Sequence, residues 1–191
     1  MDTGKRFLLE DSTTIPCTEI YLFASRINNQ LPLYVARSPD PESTATDAFL
    51  QNWNQWTVFI HSPIVLLPKI LLKIRRQDQT TGLAIAPTWS GQPWYPALLE
   101  MLVGFPAPLP VAETTLYLPF NPQVIHPLWK TLHLAVFPLS GLVYKQQAFH
   151  QRCEKSCWHG GGQALKRDMK DPGSCGLAGA LNGINVPFQH L

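Results

Sequence analysis

Through the first hundred residues, short apolar runs alternate with turn chemistry, and only two of the segments have helical spacing. Thr57 to His61 (TVFIH) and Leu83 to Ala86 (LAIA) are too short for ordinary helices. The first is rich in β-formers, and the second is continuously apolar, as a buried inner strand would be. Between them, Ile64 to Arg76 carries Leu67, Ile70, Leu71 and Ile74, spaced three or four apart and so sharing one helix face. Pro68 suits the first turn, where its missing N–H costs little. Lys69, Lys73, Arg75 and Arg76 lie on the exposed side or near the C-terminal end, where cations suit the helix dipole. Strand, helix and strand in that order predict an α/β fold with parallel pairing.

The flanking segments extend this pattern. Glu19 to Ser25 (EIYLFAS) predicts a buried strand, Arg26 to Gln30 one turn of helix, and Leu33 to Ala36 a second strand. Ser38 to Thr46, with Pro39-Asp40-Pro41, is loop chemistry. Trp94 to Val103 predicts a second, short amphipathic helix. Beyond Gly104 prolines crowd the chain, fixing φ and removing donors. Thr114 to Phe120 predicts a strand and Leu128 to Val136 a short helix. The expected organisation is a disordered arm over 1–18, an α/β domain over 19–112, a Pro-rich extension over 113–150, and a flexible linker over 151–191. There is no internal repeat.

Composition excludes several classes. The 191 residues have 45% hydrophobic content, ordinary for a globular protein, and 18 prolines. A net charge of +2 is too small to argue for nucleic-acid binding from bulk charge. The N-terminal MDTGKRFLLEDSTT does not have the form of a secretory signal. No apolar run approaches the roughly 20 residues of a membrane span, so no membrane partner is expected. Four cysteines do not make a disulfide framework in a chain this long. An intracellular, reduced protein of the nucleus or cytoplasm is expected, and nothing in the sequence fixes an oligomeric state.

The stretch Tyr21 to Trp56, YLFASRINNQLPLYVARSPDPESTATDAFLQNWNQW, resembles a segment of the polyproteins of tyrosine-recombinase (DIRS-like) retrotransposons, just after the reverse transcriptase and RNase H domains. The pattern there is roughly D-L-F-A-S-R-x-N-x-Q-L-P, then P-D-P, then D-A-F-x-x-D-W. Ala86-Pro87-Thr88-Trp89, Gln92-Pro93-Trp94-Tyr95-Pro96, His126-Pro127-Leu128 and Leu139-Ser140-Gly141 continue the likeness. The tail, with Trp158-His159-Gly160 and Asn185-Val186-Pro187-Phe188, is similar to the approach to the recombinase. The resemblance implies a piece of a mobile-element polyprotein without catalysis of its own. The chain has no reverse transcriptase Tyr-x-Asp-Asp, RNase H carboxylate set or recombinase catalytic box.

The same region resembles phage-type DNA N6-adenine methyltransferases, which implies a small Rossmann-like, methyltransferase-like sheet. In those enzymes an N-P-P-Y-type turn follows a strand. The adenine amino group is a poor nucleophile, so polar acceptors take its hydrogens while an aromatic ring stacks on the flipped base. The retroelement relatives carry F-P-P-F there. This chain has His61-Ser62-Pro63-Ile64, which lacks the first proline and the stacking aromatic. Tyr21 stands where the pattern has aspartate before L-F-A-S, and Asn52 where it has the aspartate of D-W. The turn is therefore expected to be vestigial. His61 as a general base would need an orienting partner that the sequence does not indicate. Phe23, Ala24, Ser25 and Asn28 are the residues the resemblance places at the cofactor pocket. No cofactor is expected; an S-adenosylmethionine-dependent DNA adenine methyltransferase is the alternative.

Two tail features suggest a small nucleic-acid-binding or zinc-binding module. Lys155, Lys166, Arg167 and Lys170 make the tail locally basic near Phe149 and Trp158, which suits weak contact with nucleic acid. Cys153, Cys157, His159 and Cys175 are zinc-ligating types, but their spacing lacks a second close pair, and no metal site is expected. Trp53, Trp56, Trp89 and Trp94 are more simply packing residues than base-stacking platforms.

Overall fold

The structure, a computed structural model, describes residues 17–111, 117–118, 121–125, 127–128, 130–157 and 177–189. The chain runs through strands β1 (Ile20–Ala24), β2 (Leu33–Ala36), β3 (Ala45–Thr46) and β4 (Thr57–Ile60), then helix α1 (Leu67–Arg76). Strand β5 (Thr81–Pro87), helix α2 (Tyr95–Glu100) and strand β6 (Ala107–Pro108) follow. Next come a small ribbon of β7 (Tyr117–Leu118) and β8 (Asn121–Ile125), strand β9 (Leu134–Ser140) and helix α3 (Val143–Cys157). A hairpin of β10 (Leu177–Leu181) and β11 (Ile184–Pro187) ends the described chain.

Seven strands form one sheet in the order β3-β2-β1-β4-β5-β9-β6. Strands β1 to β5 pair in parallel, and β9 runs antiparallel to both β5 and β6. The expected Rossmann-like α/β sheet is therefore present, with an antiparallel strand set between β5 and β6. Among the described residues, no helix is long and apolar enough to cross a membrane.

Side-chain alternation explains the core. In register, Ile20 lies beside Val58 and Leu22 beside Ile60, while Ala84 lies opposite Phe137. These residues share one sheet face, and Leu67, Ile70, Leu71 and Ile74 of α1 pack with them in a single buried cluster. The helix spacing read from the sequence thus matches the packing, with a 3₁₀ turn (Ile64–Leu66) leading into α1. The opposite face carries a smaller cluster of Tyr21, Ala24, Tyr34 and Ala36, with Phe59 and Leu31 against it.

Two contacts set how closely these parts approach. Gly82 on β5 lies beside Val58 on β4, and a Cβ there would fall 2.0 Å from the Val58 carbonyl oxygen. At the same end of β5, the buried Ser140 hydroxyl donates to the Thr80 carbonyl at 3.0 Å and lies 3.0 Å from the Thr81 hydroxyl.

The structure departs from the sequence reading in several places. Arg26 to Gln30 is a hydrogen-bonded turn closed by the Asn28 and Asn29 amides on the Ser25 carbonyl, not a helix. The predicted loop over Ser38 to Thr46 ends in strand β3, because Ala45 and Thr46 find the free edge of β2. The helix predicted over Leu128 to Val136 is absent. Leu128 to Leu132 contains a tight turn, and Leu134 onward is β9, drawn into the sheet by pairing along the whole of β5. The Pro-rich extension over 113–150 therefore supplies an inner strand of the sheet.

The linker predicted from 151 also carries structure. Gln151 to Cys157 complete α3, which buries Phe149 and Cys153 completely. The β10–β11 hairpin turns at Asn182-Gly183, both at positive φ (50° and 81°), the geometry of a primed two-residue turn. It docks through buried Ala178, Val186 and Phe188, and the Tyr95 hydroxyl donates to the Ala178 carbonyl at 2.7 Å. Residues 1–16 and 158–176 lie outside the described residues.

The Gly82 approach generates a prediction. Gly82→Ala should destabilise the protein by about 1–3 kcal/mol through overpacking between β4 and β5. Gly91→Ala, where nothing lies within 4 Å of the added Cβ, should leave stability nearly unchanged. Chemical denaturation of the two variants beside the parent chain checks this, and equal midpoints would contradict the packing argument.

Candidate functional site

In a doubly wound sheet, ligands bind outside the carboxyl ends of the strands where the strand order reverses. Here that point lies between β1 and β4, since β2 and β3 extend to one side and β5 to the other. The residues leaving this edge are Ser25 to Asn28 after β1 and His61 to Ile64 after β4. They include Ser25 and Asn28, two of the expected cofactor-binding residues, and His61 to Ile64, the expected vestigial turn, while Phe23 and Ala24 lie within β1.

The β1 side is filled by the protein itself. Phe23 sits at φ 63°, a left-handed conformation that is unusual for a bulky aromatic. It turns the ring into the core side, 5.2 Å from Phe49 and 6.1 Å from Trp53 between centroids. Ala24 is buried on the opposite face. Asn28 Oδ1 accepts from both the Ser25 amide (2.7 Å) and the Ser25 hydroxyl (2.8 Å), so the polar groups of this loop satisfy one another.

On the β4 side, the Tyr21 hydroxyl lies 3.4 Å from His61 Nδ1. Tyr21 is buried, and burial pushes its pKa up to about 12, so it keeps its proton at neutral pH. The direction of the bond follows the His61 tautomer: the Tyr21 hydroxyl donates where Nδ1 carries no proton and accepts where it does. Burial pushes the His61 pKa down, although the residue is exposed to solvent. Ser62 bonds only weakly to the Pro63 carbonyl, at 3.3 Å. Ile64 is half-buried and packs against the main core, so it presents no flat face to a base.

A third group, which the sequence reading did not single out as a site, braces this edge. Asp47 has φ 53°, and its carboxylate accepts from the Phe49 amide at 2.9 Å. The Lys73 ammonium donates to the Phe49 carbonyl at 2.9 Å and lies over the Trp53 ring, while Lys69 lies 3.9 Å over the Phe49 ring. Burial lowers the Lys73 pKa, opposed by the nearby Asp47 carboxylate. The lysines lie twenty or more residues from the Phe49 and Trp53 groups they meet, so short-range spacing gave no signal for them. Asn52, standing where the resemblance has an aspartate, caps a 3₁₀ turn by accepting from the Asn54 amide at 3.1 Å.

The remaining candidates are placed differently. Lys155 lies on α3, its side chain outside the described residues, as are Lys166, Arg167 and Lys170 altogether. Cys153 is buried within α3, Cys157 ends that helix, and His159 and Cys175 lie outside the described residues. Among the described residues no group of three or more His, Cys, Asp or Glu side chains is arranged to hold a metal ion. Trp53 and Trp94 are buried and Trp56 packs against the core, whereas Trp89, in the loop after β5, is 37% exposed. The chain matches no protein-family model, no curated protein and no solved structure.

The burial of His61 predicts a pH dependence. The folded-state pKa of His61 lies below its ordinary 6.5, so the unfolded chain binds the proton more readily. The contribution of the neutral ring is complete above pH 6.5 and is lost as pH falls through the depressed folded value. Unfolding free energy should therefore drop on acidification in that window, and His61→Asn should flatten the drop. A His61→Asn profile parallel to that of the parent chain would remove the assignment.

Proposed function

We propose that this chain is a piece of a DIRS-like retrotransposon polyprotein whose methyltransferase-like domain has lost catalysis and persists as a packed α/β unit. The observation that carries the reading is the Tyr21–His61 contact across the β1–β4 switch point. The resemblance expects a carboxylate at the first position and the opening residue of the substrate turn at the second. In this chain the two side chains engage each other. Ile64, in place of the aromatic that would hold a flipped adenine, faces the core. Stacking of that kind contributes about 1–3 kcal/mol per base, and nothing at this turn replaces it.

The expected chemistry follows. Ser62 offers one hydroxyl to an incoming amino group, and without a stacking ring the base is not held in line with a methyl donor. The Ser25–Asn28 loop spends its polar groups internally, and Phe23 is committed to the Phe49–Trp53 cluster. The tail lysines and arginine remain the proposed source of weak nucleic-acid contact.

The test is incorporation of a labelled methyl group from S-adenosylmethionine into adenine-containing DNA. The parent chain should incorporate no more label than a protein-free blank, and calorimetric titration with S-adenosylmethionine should give no binding heat. Incorporation above the blank, reduced by His61→Ala, would overturn the proposal in favour of an active adenine methyltransferase. Translation of the flanking genomic sequence tests the origin, and the absence of reverse transcriptase and RNase H coding upstream would count against it.

A further inference from the structure

Val65 and Leu50 are the two most exposed large apolar side chains among the described residues, at 83% and 79%. Both border the outer face of α1. Val65 precedes the helix, and Leu50 follows Phe49, whose ring lies under Lys69 and whose carbonyl accepts from Lys73. Spaced four, three and four residues apart, Val65, Lys69, Leu72 and Arg76 fall on one narrow arc, opposite the buried Leu67, Ile70, Leu71 and Ile74. Leu72 is itself 47% exposed. The helix LPKILLKIRR carries four cations and no carboxylate. Arg75 is ion-paired with Glu100 and Lys73 is engaged at Phe49, so Lys69 and Arg76 are the cations that flank the exposed aliphatic side chains.

We infer that this ledge, formed by Leu50, Val65, Lys69, Leu72 and Arg76, docks an acidic amphipathic helix of a partner protein. Two features of the patch must be met together: aliphatic surface to be removed from water and positive charge to be neutralised. A nucleic-acid backbone would neutralise Lys69 and Arg76 but leave three aliphatic side chains in water. A second copy of α1 would set cations against cations. Lying in a lipid interface requires a helix to bury its apolar face in the headgroup boundary, and the apolar face of α1 is already in the core. A helix with aliphatic residues three or four apart, flanked by glutamates, meets both demands.

The test uses the full chain and a labelled helical peptide with leucines at i, i+3, i+4 and i+7 and glutamates between them, followed by fluorescence anisotropy. Saturable binding that weakens with salt is expected. Val65→Ser with Leu72→Ser, and separately Lys69→Glu with Arg76→Glu, should each weaken it about tenfold or more. All four positions are exposed, but Lys69 also lies over the Phe49 ring, so the Val65 and Leu72 pair should melt near the parent chain, and a variant that melts early is replaced by Leu72→Gln or Arg76→Glu alone. No saturable binding, equal binding of a scrambled peptide, or unchanged affinity in folded variants would overturn the inference. So would a patch-dependent preference for phosphatidylserine vesicles, a single-stranded oligonucleotide or a second copy of the chain.

Discussion

The fold depends on the pairing of β5 with β9. Seven residue pairs, from Thr81 opposite Ser140 to Pro87 opposite Leu134, join strands about fifty residues apart in sequence. A parallel strand is stable when both edges are hydrogen-bonded and its faces are covered. β4 satisfies one edge of β5, and β9 satisfies the other. The pairing also sets Phe137 and Leu139 into the core beside Ala84 and Gly82, where burying each contributes about 1.5–3 kcal/mol. The Gly141 amide bonds to the Thr80 carbonyl at 2.8 Å, closing the same end as the Ser140 hydroxyl. α3 begins two residues later, so this closure also fixes where Phe149 and Cys153 enter the core.

What the sequence revealed and what it hid divide along the same line. Strands β1, β2, β4 and β5 and helix α1 are local patterns, and their apolar spacing alone identifies them. β9 is not such a pattern, because Pro138 interrupts it and a proline argues against an inner strand. The pairing explains its presence. The Pro138 carbonyl accepts from the Val103 amide, away from β5. In a strand, the nitrogen and carbonyl of one residue point to the same side, so the missing N–H faces away from the β5 ladder and costs it nothing. Only Ala135 and Val136 pair with β6, which ends short of the proline. Likewise, α3 shows little apolar periodicity because its buried residues are few, and the partners that order it come from distant parts of the chain, such as Phe105 at 5.1 Å from Phe149.

The edge where β1 and β4 end was legible in the strand pattern, but the contacts along it were not. Its strained residues show why. A left-handed conformation costs an ordinary residue about 1–3 kcal/mol, and Phe23 and Asp47 both adopt it. Each has a compensation on the same side of the sheet. Phe23 gains edge and tilted contacts with Phe49 and Trp53, worth about 0.5–1.5 kcal/mol per pair. Asp47 satisfies the Phe49 amide and faces the Lys73 charge. The rings and the lysines therefore hold two unfavourable backbone states in place together. No window of neighbouring residues contains that information.

Sorting the residues that carry the resemblance by what they touch gives a physical account of which ones match. Leu22, Ala48 and Trp53 match the pattern and are buried, and Phe23 and Phe49 match it and pack on them. Asp47 matches it and caps a turn. The departures are Tyr21, which is buried, Asn52, which caps a turn, and His61, Ser62 and Ile64 around the matching Pro63. Tyr21 and His61 form one pair in this chain. A buried tyrosine hydroxyl with no partner costs about 1–3 kcal/mol, and His61 Nδ1 is the partner within reach. The contact ties β1 to the turn after β4 through the protein's own side chains, above the paired strands.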